Sequence, residues 1–155
     1  MDKDIVAFLQ ESNYIEAETS LEALDQAVKA WKYIIRQKDL TRQNILKTHA
    51  ILMRDKLPHD QIGAWRKQPV WIGGEQAKHW YAIPDLMDQW IKNASASDKE
   101  LEIKWDHIMF EQIHPFIDGN GRMGRILLNW QRVKVGLPVL VILESQKQEY
   151  YKWFH

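Results

Sequence analysis

Cysteine is absent from this 155-residue chain, which excludes disulfides and thiolate metal sites and fits a reducing compartment. Charge of one sign is not in excess either: Lys+Arg and Asp+Glu each number 21. That balance argues against a nucleic acid or membrane held by bulk electrostatics, so any anion must be bound locally. Long apolar runs are missing. The longest, Leu137 to Leu143, contains Pro138 and has seven residues, against the ~20 a bilayer span needs. The opening MDKDIVAFLQESN carries acids and no apolar segment, so it does not read as a secretory signal. A cytoplasmic protein without nucleic-acid or membrane partners is the expectation. Glycine and proline are sparse, at seven and five, and no repeat or linker divides the chain. Its length suits one domain, residues 1–155, with a sizeable core.

What is present is mostly helical patterning. The chain is 45% hydrophobic and 27% charged, a globular composition, and most of its tryptophans sit at helical spacing, which assigns them to core packing. Asp4 to Glu16 reads as a first helix with Ile5, Phe8, Leu9 and Ile15 inward. Thr19-x-x-Glu22 has capping-box form and opens a second, with Leu21, Leu24, Val28, Trp31 and Ile35 on one face. Thr41 caps a third, carrying Ile45, Thr48 or His49, and Leu52. Trp65 to Gly74 is β-leaning, interrupted by proline and closed by Gly-Gly; it predicts a small hairpin or flap over residues 65–83. Pro84 starts a helix over Asp85 to Asn93. The polar link Ala94 to Asp98 precedes another over Lys99 to Ile113, with Leu101, Trp105 and Ile108 inward. Helix returns from about Gly121 to Val135 and stops at Gly136-Leu137-Pro138, and Ser145 to Phe154 predicts a last one. The fold class is mainly α, a helical bundle with one small β-hairpin.

The stretch His114 to Arg125, HPFIDGNGRMGR, concentrates the chemistry. Pro115 disfavours helix at the residue before it, so the incoming helix ends at His114 and leaves its ring at a loop edge. An imidazole there can serve as a general base. Gly119 and Gly121 allow a ligand to approach the main chain, and successive N–H groups ahead of a helix make an anion-binding concavity. Asn120 can orient that loop or donate to a phosphate oxygen. Asp118 is a hard oxygen ligand suited to Mg²⁺ shared with phosphates. On the following helix Arg122, Arg125, Asn129 and Arg132 share one arc, and Met123, Ile126, Leu127, Trp130 and Val133 another. Two guanidinium forks beside a glycine loop suit a polyphosphate. The group reads as a triphosphate site with a base at its mouth, built for in-line attack on a phosphate.

These residues resemble the signature of the Fic-domain family, H-x-F-x-(D/E)-G-N-G-R-x-x-R, at every specified position. Arg66, Val70, Ile72, Gly73 and Gly74 resemble the family's flap, and Gly136-Leu137-Pro138 with Tyr150-Tyr151 its C-terminal end, so the likeness spans nearly the whole chain. The resemblance implies a Fic-type helical bundle that transfers AMP from ATP, with Mg²⁺, to a Tyr, Thr or Ser hydroxyl of a target protein. Carried over by position, His114 deprotonates that hydroxyl and Asp118 holds Mg²⁺. Gly119, Asn120 and Gly121 cradle the α- and β-phosphates, Arg122 contacts the phosphate chain and Arg125 takes the γ-phosphate, over a catalytic segment of residues 114–125. The attacked phosphorus is the α, with pyrophosphate leaving.

Ser12 and Glu16, within an N-terminal segment of residues 1–18, resemble the family's inhibitory pattern (S/T)-x-x-x-E-(G/N), with Ala17 departing at the last position. Residues four apart share a helix face, and the resemblance implies that Glu16 pairs with Arg125 and denies it to the γ-phosphate. An extended flap can pair with an incoming chain by main-chain hydrogen bonds; Lys67, Gln68, Val70 and Trp71 are its candidate contacts. Other donor use, removal of AMP, and a non-catalytic module with this fold are the alternatives, the last opposed by the intact His114 and arginines. The target's identity, self-modification, homo-oligomerisation, and whether Glu16 acts within its own chain stay open.

Overall fold

A computed structural model describes residues Met1–His155. It contains helices α1 Lys3–Ile15, α2 Leu21–Ile34, α3 Arg42–Leu52, α4 Ile83–Ala96, α5 Glu100–Ile113, α6 Asn120–Lys134 and the short α7 Lys147–Tyr151, with strands β1 Trp71–Ile72 and β2 Glu75–Gln76 between α3 and α4. The mainly helical expectation holds. The flap is a two-strand antiparallel ribbon pairing Trp71 with Gln76 and Ile72 with Glu75. Gly73 and Gly74 turn it with φ of 56° and 87°, the positive values a tight hairpin turn requires. No helix is long and apolar enough to cross a membrane.

Helix ends follow local chemistry. The Thr41 hydroxyl accepts from Asn44 N at 3.0 Å and caps α3, and Pro84 stands in the first turn of α4. At the start of α2 the cap is Ser20, not Thr19: its Oγ accepts from Ala23 N at 3.1 Å, while Glu22 only lends a negative charge to the first turn. The link expected at Ala94 is helical through Ala96, because Ala and Ser continue a helix that nothing else stops.

Helix faces depart from the apolar pattern in three places. In α2 the buried stripe is Ala23, Ala27, Ala30, Trp31 and Ile34; the alanines let neighbouring backbones approach, Leu24, Val28 and Ile35 flank the core, and Leu21 is 84% exposed. In α5, Leu101 and Trp105 face solvent, whereas Ile103, Asp106, His107 and Phe110 are buried. The inward Asp106 is satisfied: its carboxylate accepts from Gln131 Nε2 at 2.9 Å and from Ser97 Oγ, and its carbonyl from Trp90 Nε1 at 2.7 Å. A polar group so paired can be buried at little cost. Finally, α6 is enclosed on both arcs, Asn129 and Arg132 included, and Val133 is the exposed one. Asn129 exchanges two bonds with the Leu140 backbone, and Arg132 donates to Pro138 O at 2.9 Å and to Glu100 at 2.6 Å.

Phe8 and Leu9 of α1 join Trp31, Phe110, Phe116 and the apolar side of α6 in one core. Trp31, Trp90 and Trp130 are buried as expected; Trp71 and Trp105 are not. A smaller cluster of Ile15, Ile142 and Tyr150, flanked by Trp153 and Phe154, ties the end of α1 to the C-terminal turn. That second cluster positions Glu16.

Candidate active site

The loop between α5 and α6 is held from beneath. His49, fully buried, stacks on Phe116 with ring centroids 3.8 Å apart. Its Nδ1 accepts from Gly63 N at 3.0 Å, so its Nε2 donates to Asp118 O at 2.9 Å. Burial pushes this imidazole down to about 4, keeping it neutral in that role. Asn120 closes the loop on itself, its amide donating to Phe116 O at 2.8 Å and accepting from Phe116 N at 2.9 Å. Of its two uses, the structure displays the loop-orienting one. Gly119 has φ of 87° and lies against Met53, where any Cβ would stand 2.8 Å from the thioether sulfur. Only glycine fits there without strain.

His114 ends α5 in the left-handed region, φ 51° and ψ 62°; the helix stops where proline demanded, but by an αL residue rather than an extended one. Its ring Nδ1 lies 3.1 Å from Glu111 O. A carbonyl only accepts, so Nδ1 carries the proton and the Nε2 lone pair is left free. Burial also lowers this imidazole below the usual range, partly countered by the Glu111 carbonyl. Arg66, 2% exposed, fastens the turn: it donates to His114 O at 2.7 Å, Ile113 O at 3.2 Å, Gln68 O at 2.9 Å and Lys78 O. One guanidinium thereby caps α5 and joins the flap to the histidine.

The two forks on α6 differ. Arg125, 2% exposed, is fully engaged: Nε donates to Ser12 Oγ at 2.7 Å, Nη2 to Ser12 O at 3.0 Å and to Glu16 Oε1 at 2.8 Å, and Nη1 to Tyr150 OH at 3.3 Å. The serine and glutamate four apart on α1 thus meet the arginine of their own chain. Ala17, where the sequence departs from Gly or Asn, ends α1 with φ of 57°. Ala17 N bonds Tyr14 O at 3.0 Å and Glu18 N bonds Asn13 O at 2.9 Å, the Schellman closure that glycine usually makes. The helix therefore stops despite alanine. Gly121 matters to the same contact, since a Cβ there would collide with the Glu16 carboxylate. Arg122 is 7% exposed, yet its Nε is buried with no hydrogen-bond partner.

These groups line a cleft of about 1010 Å³: Glu16, Glu111, His114, Asp118, Gly119, Asn120, Gly121, Arg122 and Arg125, with Tyr150, Tyr151, Phe154 and His155 on the C-terminal side. The flap contributes Ile72, Gly73 and Glu75 to Lys78. The flap's candidate contacts for an incoming chain do not line this cleft. Lys67 and Gln68 line a separate hollow of about 130 Å³ with Trp65, and Trp71 is exposed on the outgoing strand. Asp118 is exposed and one of its oxygens accepts from Gly119 N at 2.8 Å, leaving the other open. No three His, Cys, Asp or Glu side chains cluster to hold a metal, so a divalent cation at Asp118 needs the oxygens of a bound phosphate to complete its shell, which suits Mg²⁺.

Two residues were not singled out from the sequence. Glu111 has a buried Oε1 without a partner; burial pushes its carboxyl up to about 7, Arg125 draws it down and Glu16 adds to the rise. His107 is buried beneath Arg125 and bonded to Tyr150. Their positions in the interior stripe of α5 were the one available signal, hidden by the more apolar residues on the outer face.

Residues 39–131 match the Fic/DOC family. The chain belongs to the Fic/DOC family. The match takes in the flap and the whole His114–Arg125 stretch, and leaves Ser12, Glu16 and Tyr150 outside it. Among curated relatives, the protein adenylyltransferase Fic of Drosophila grimshawi is 30% identical over 79% of this chain and 27% of its own length. That of Drosophila yakuba is 29% identical over 88% of this chain and 29% of its own length. The Fic chain spans about a quarter of the length of such relatives. Its fold is shared with a Fic domain containing signaling protein from Bacteroides thetaiotaomicron, TM-score 0.83 at 23% identity over 97% of this chain and 70% of the other. It is shared also with Fic-1 (aa134 - 508) from C. elegans, TM-score 0.83 at 17% identity over 98% of this chain and 55% of the other.

Proposed function

We propose that this Fic domain, read as one unit over residues 1–155, is a protein adenylyltransferase that moves AMP from ATP to a hydroxyl side chain of a target protein. In the state described here Glu16 of the same chain restrains it. The observation that carries the reading is the contrast between the two forks. Arg122 lines the cleft and its guanidinium makes no hydrogen bond or ion pair with the protein, and Arg125 is occupied by a carboxylate that stands where an anion is wanted. A guanidinium in the wall of a cleft without an acceptor of its own suits a polyphosphate, whose oxygens accept from such forks. The relatives named as adenylyltransferases support the choice of ATP.

In this reading Asn120 and Gly121 present their N–H groups to the α- and β-phosphates at the start of α6, while Gly119, whose own N–H is held by Asp118, lets the main chain pass close to them. Arg122 neutralises the chain of phosphates, and Arg125 grips the γ-phosphate once Glu16 withdraws. Asp118 would hold Mg²⁺, which supplies charge neutralisation to the phosphates. The flap pairs with the target main chain and leaves its hydroxyl near His114, with Trp71 exposed on its outgoing strand. Nε2 of His114 takes the hydroxyl proton as the oxygen attacks the α-phosphorus; the bond to the bridging oxygen breaks and pyrophosphate departs with its electrons. Lys67 and Gln68, at the base of the flap, would touch only target segments that extend past the cleft.

The test is label transfer. Incubated with a lysate, Mg²⁺ and ATP labelled at the α-phosphate, the protein should label a target or itself weakly, and His114→Ala should abolish the signal. Transfer of γ-label without α-label would replace this reading with phosphotransfer.

A further inference from the structure

Arg125 is held from two sides, and the proposed function uses only one of them. Ser12 and Glu16 occupy its Nε and Nη2, whereas Nη1 points at Tyr150 OH, 3.3 Å away. Tyr150 is 3% exposed, and its hydroxyl lies 2.7 Å from His107 Nε2. On the far side of that ring, Nδ1 is 3.1 Å from Gly124 O, on the same helix as Arg125 and one residue before it.

Acceptor-only groups at the end of this chain fix the direction of each bond. Gly124 O can only accept, so Nδ1 bears the ring proton. Burial pushes His107 down to about 3, so the ring is neutral and Nε2 must accept. Tyr150 therefore donates its proton to His107 and turns a lone pair toward Arg125, which donates to it. Polarity runs one way, from Arg125 through Tyr150 and His107 to Gly124 O, and the ring closes on α6. The order cannot invert, because burial also raises the phenol and keeps it protonated.

We infer that Tyr150 and His107 are positioning residues that keep the Arg125 fork aimed into the cleft when Glu16 is not bound to it. This rests on the reading that Arg125 meets the terminal phosphate. An arginine side chain has much rotamer freedom to lose. A tether on Nη1 removes part of that freedom beforehand, leaves Nη2 for phosphate, and so favours a ligand that reaches the fork over one that does not. Tyr150 also packs on Ile15, next to Glu16, so one side chain sets both the arginine and the end of the helix that restrains it.

The experiment is calorimetry of the full chain in the Glu16→Gly background with ATP and ADP, each with Mg²⁺. Tyr150→Phe removes one oxygen and keeps the ring packing. It should weaken ATP by about three- to tenfold and ADP by less than twofold, about the range of one hydrogen bond. His107→Gln, able to donate to Gly124 O and accept from Tyr150, should retain most of the ATP preference; His107→Leu should lose it. Arg125→Ala is the reference and should collapse the ATP-to-ADP ratio. If Arg125→Ala collapses the ratio while Tyr150→Phe, with an unchanged melting profile, leaves it intact, the positioning inference is overturned alone. If Arg125→Ala leaves the ratio intact, the terminal-phosphate reading falls and takes the inference with it.

Discussion

Replacing Glu16 should make the protein less stable and better at binding nucleotide at once. Glu16 Oε1 lies 2.8 Å from Arg125 Nη2, with side-chain exposures of 36% and 3% respectively. A charge-assisted hydrogen bond contributes ~1.5–3 kcal/mol, and the exposed carboxylate roughly halves that through solvent screening. Arg125 retains Ser12 and Tyr150, so no fully orphaned cation is left. A loss of ~1 kcal/mol follows, or about 2–4 °C in melting temperature for a chain of this size. On the ligand side the signs reverse. In the proposed reading a γ-phosphate entering the wild type would first break this pair and then sit beside a displaced carboxylate. Relief of both terms should tighten Mg-ATP by about 10- to 100-fold, a gain of ~1.4–2.8 kcal/mol. ADP, which does not reach Arg125 in this reading, should change little. Glu16→Gln, which keeps the shape and avoids the added backbone entropy of glycine, should fall between. Calorimetric titration with both nucleotides, alongside thermal melts, measures each sign separately. Equal ATP affinity in wild type and Glu16→Gly, with both folded, would refute the restraint by Glu16.

Three further outcomes are expected. Ala17 sits at φ 57°, where an L-residue carries ~1–2 kcal/mol of strain; Ala17→Gly should raise stability by ~0.5–1 kcal/mol after its own entropy cost and lower the basal label transfer. Glu111 titrates near 7 in the fold against an ordinary 4.5, so the native state holds its proton more tightly than the unfolded chain. Stability should therefore fall as pH rises from about 4.5 to 7, and Glu111→Gln should flatten that slope and be more stable at pH 8 by up to ~3 kcal/mol, seen in melts across pH. Because burial depresses His114, the acid limb of label transfer by the Glu16→Gly protein should lie below the usual histidine range, read from a pH–rate profile; a limb above 6.5 would contradict the assignment of His114 as base.

Much of the site was legible because its chemistry is local. His114, Asp118, the glycine loop and both arginines fall within twelve residues, so a helix end, a turn and a helix start bring them together whatever surrounds them. Ser12 and Glu16 were legible as a spacing. The flap was legible as an element, but not which of its residues face the cleft: Ile72 and Glu75 to Lys78 do, and only the packing of the hairpin against the rest of the chain decides that. Likewise α5 was misread because periodicity reports two faces and apolarity was taken to choose between them. Leu101 and Trp105 lost to Asp106 and His107, whose hydrogen bonds make their burial cheap.

The sequence by itself determined the helical class, the cap at Thr41, the helix start at Pro84, the turn at Gly73-Gly74, and the chemical identity of the stretch from His114 to Arg125, since each depends on neighbours within a few residues. Tertiary structure alone decided what Arg125 touches: Ser12 and Glu16, 113 and 109 residues away, and Tyr150, 25 residues away. Those contacts arise from packing α1 and the C-terminal turn around a buried helix. Local propensity carries no information about which distant side chain will arrive to satisfy a buried charge.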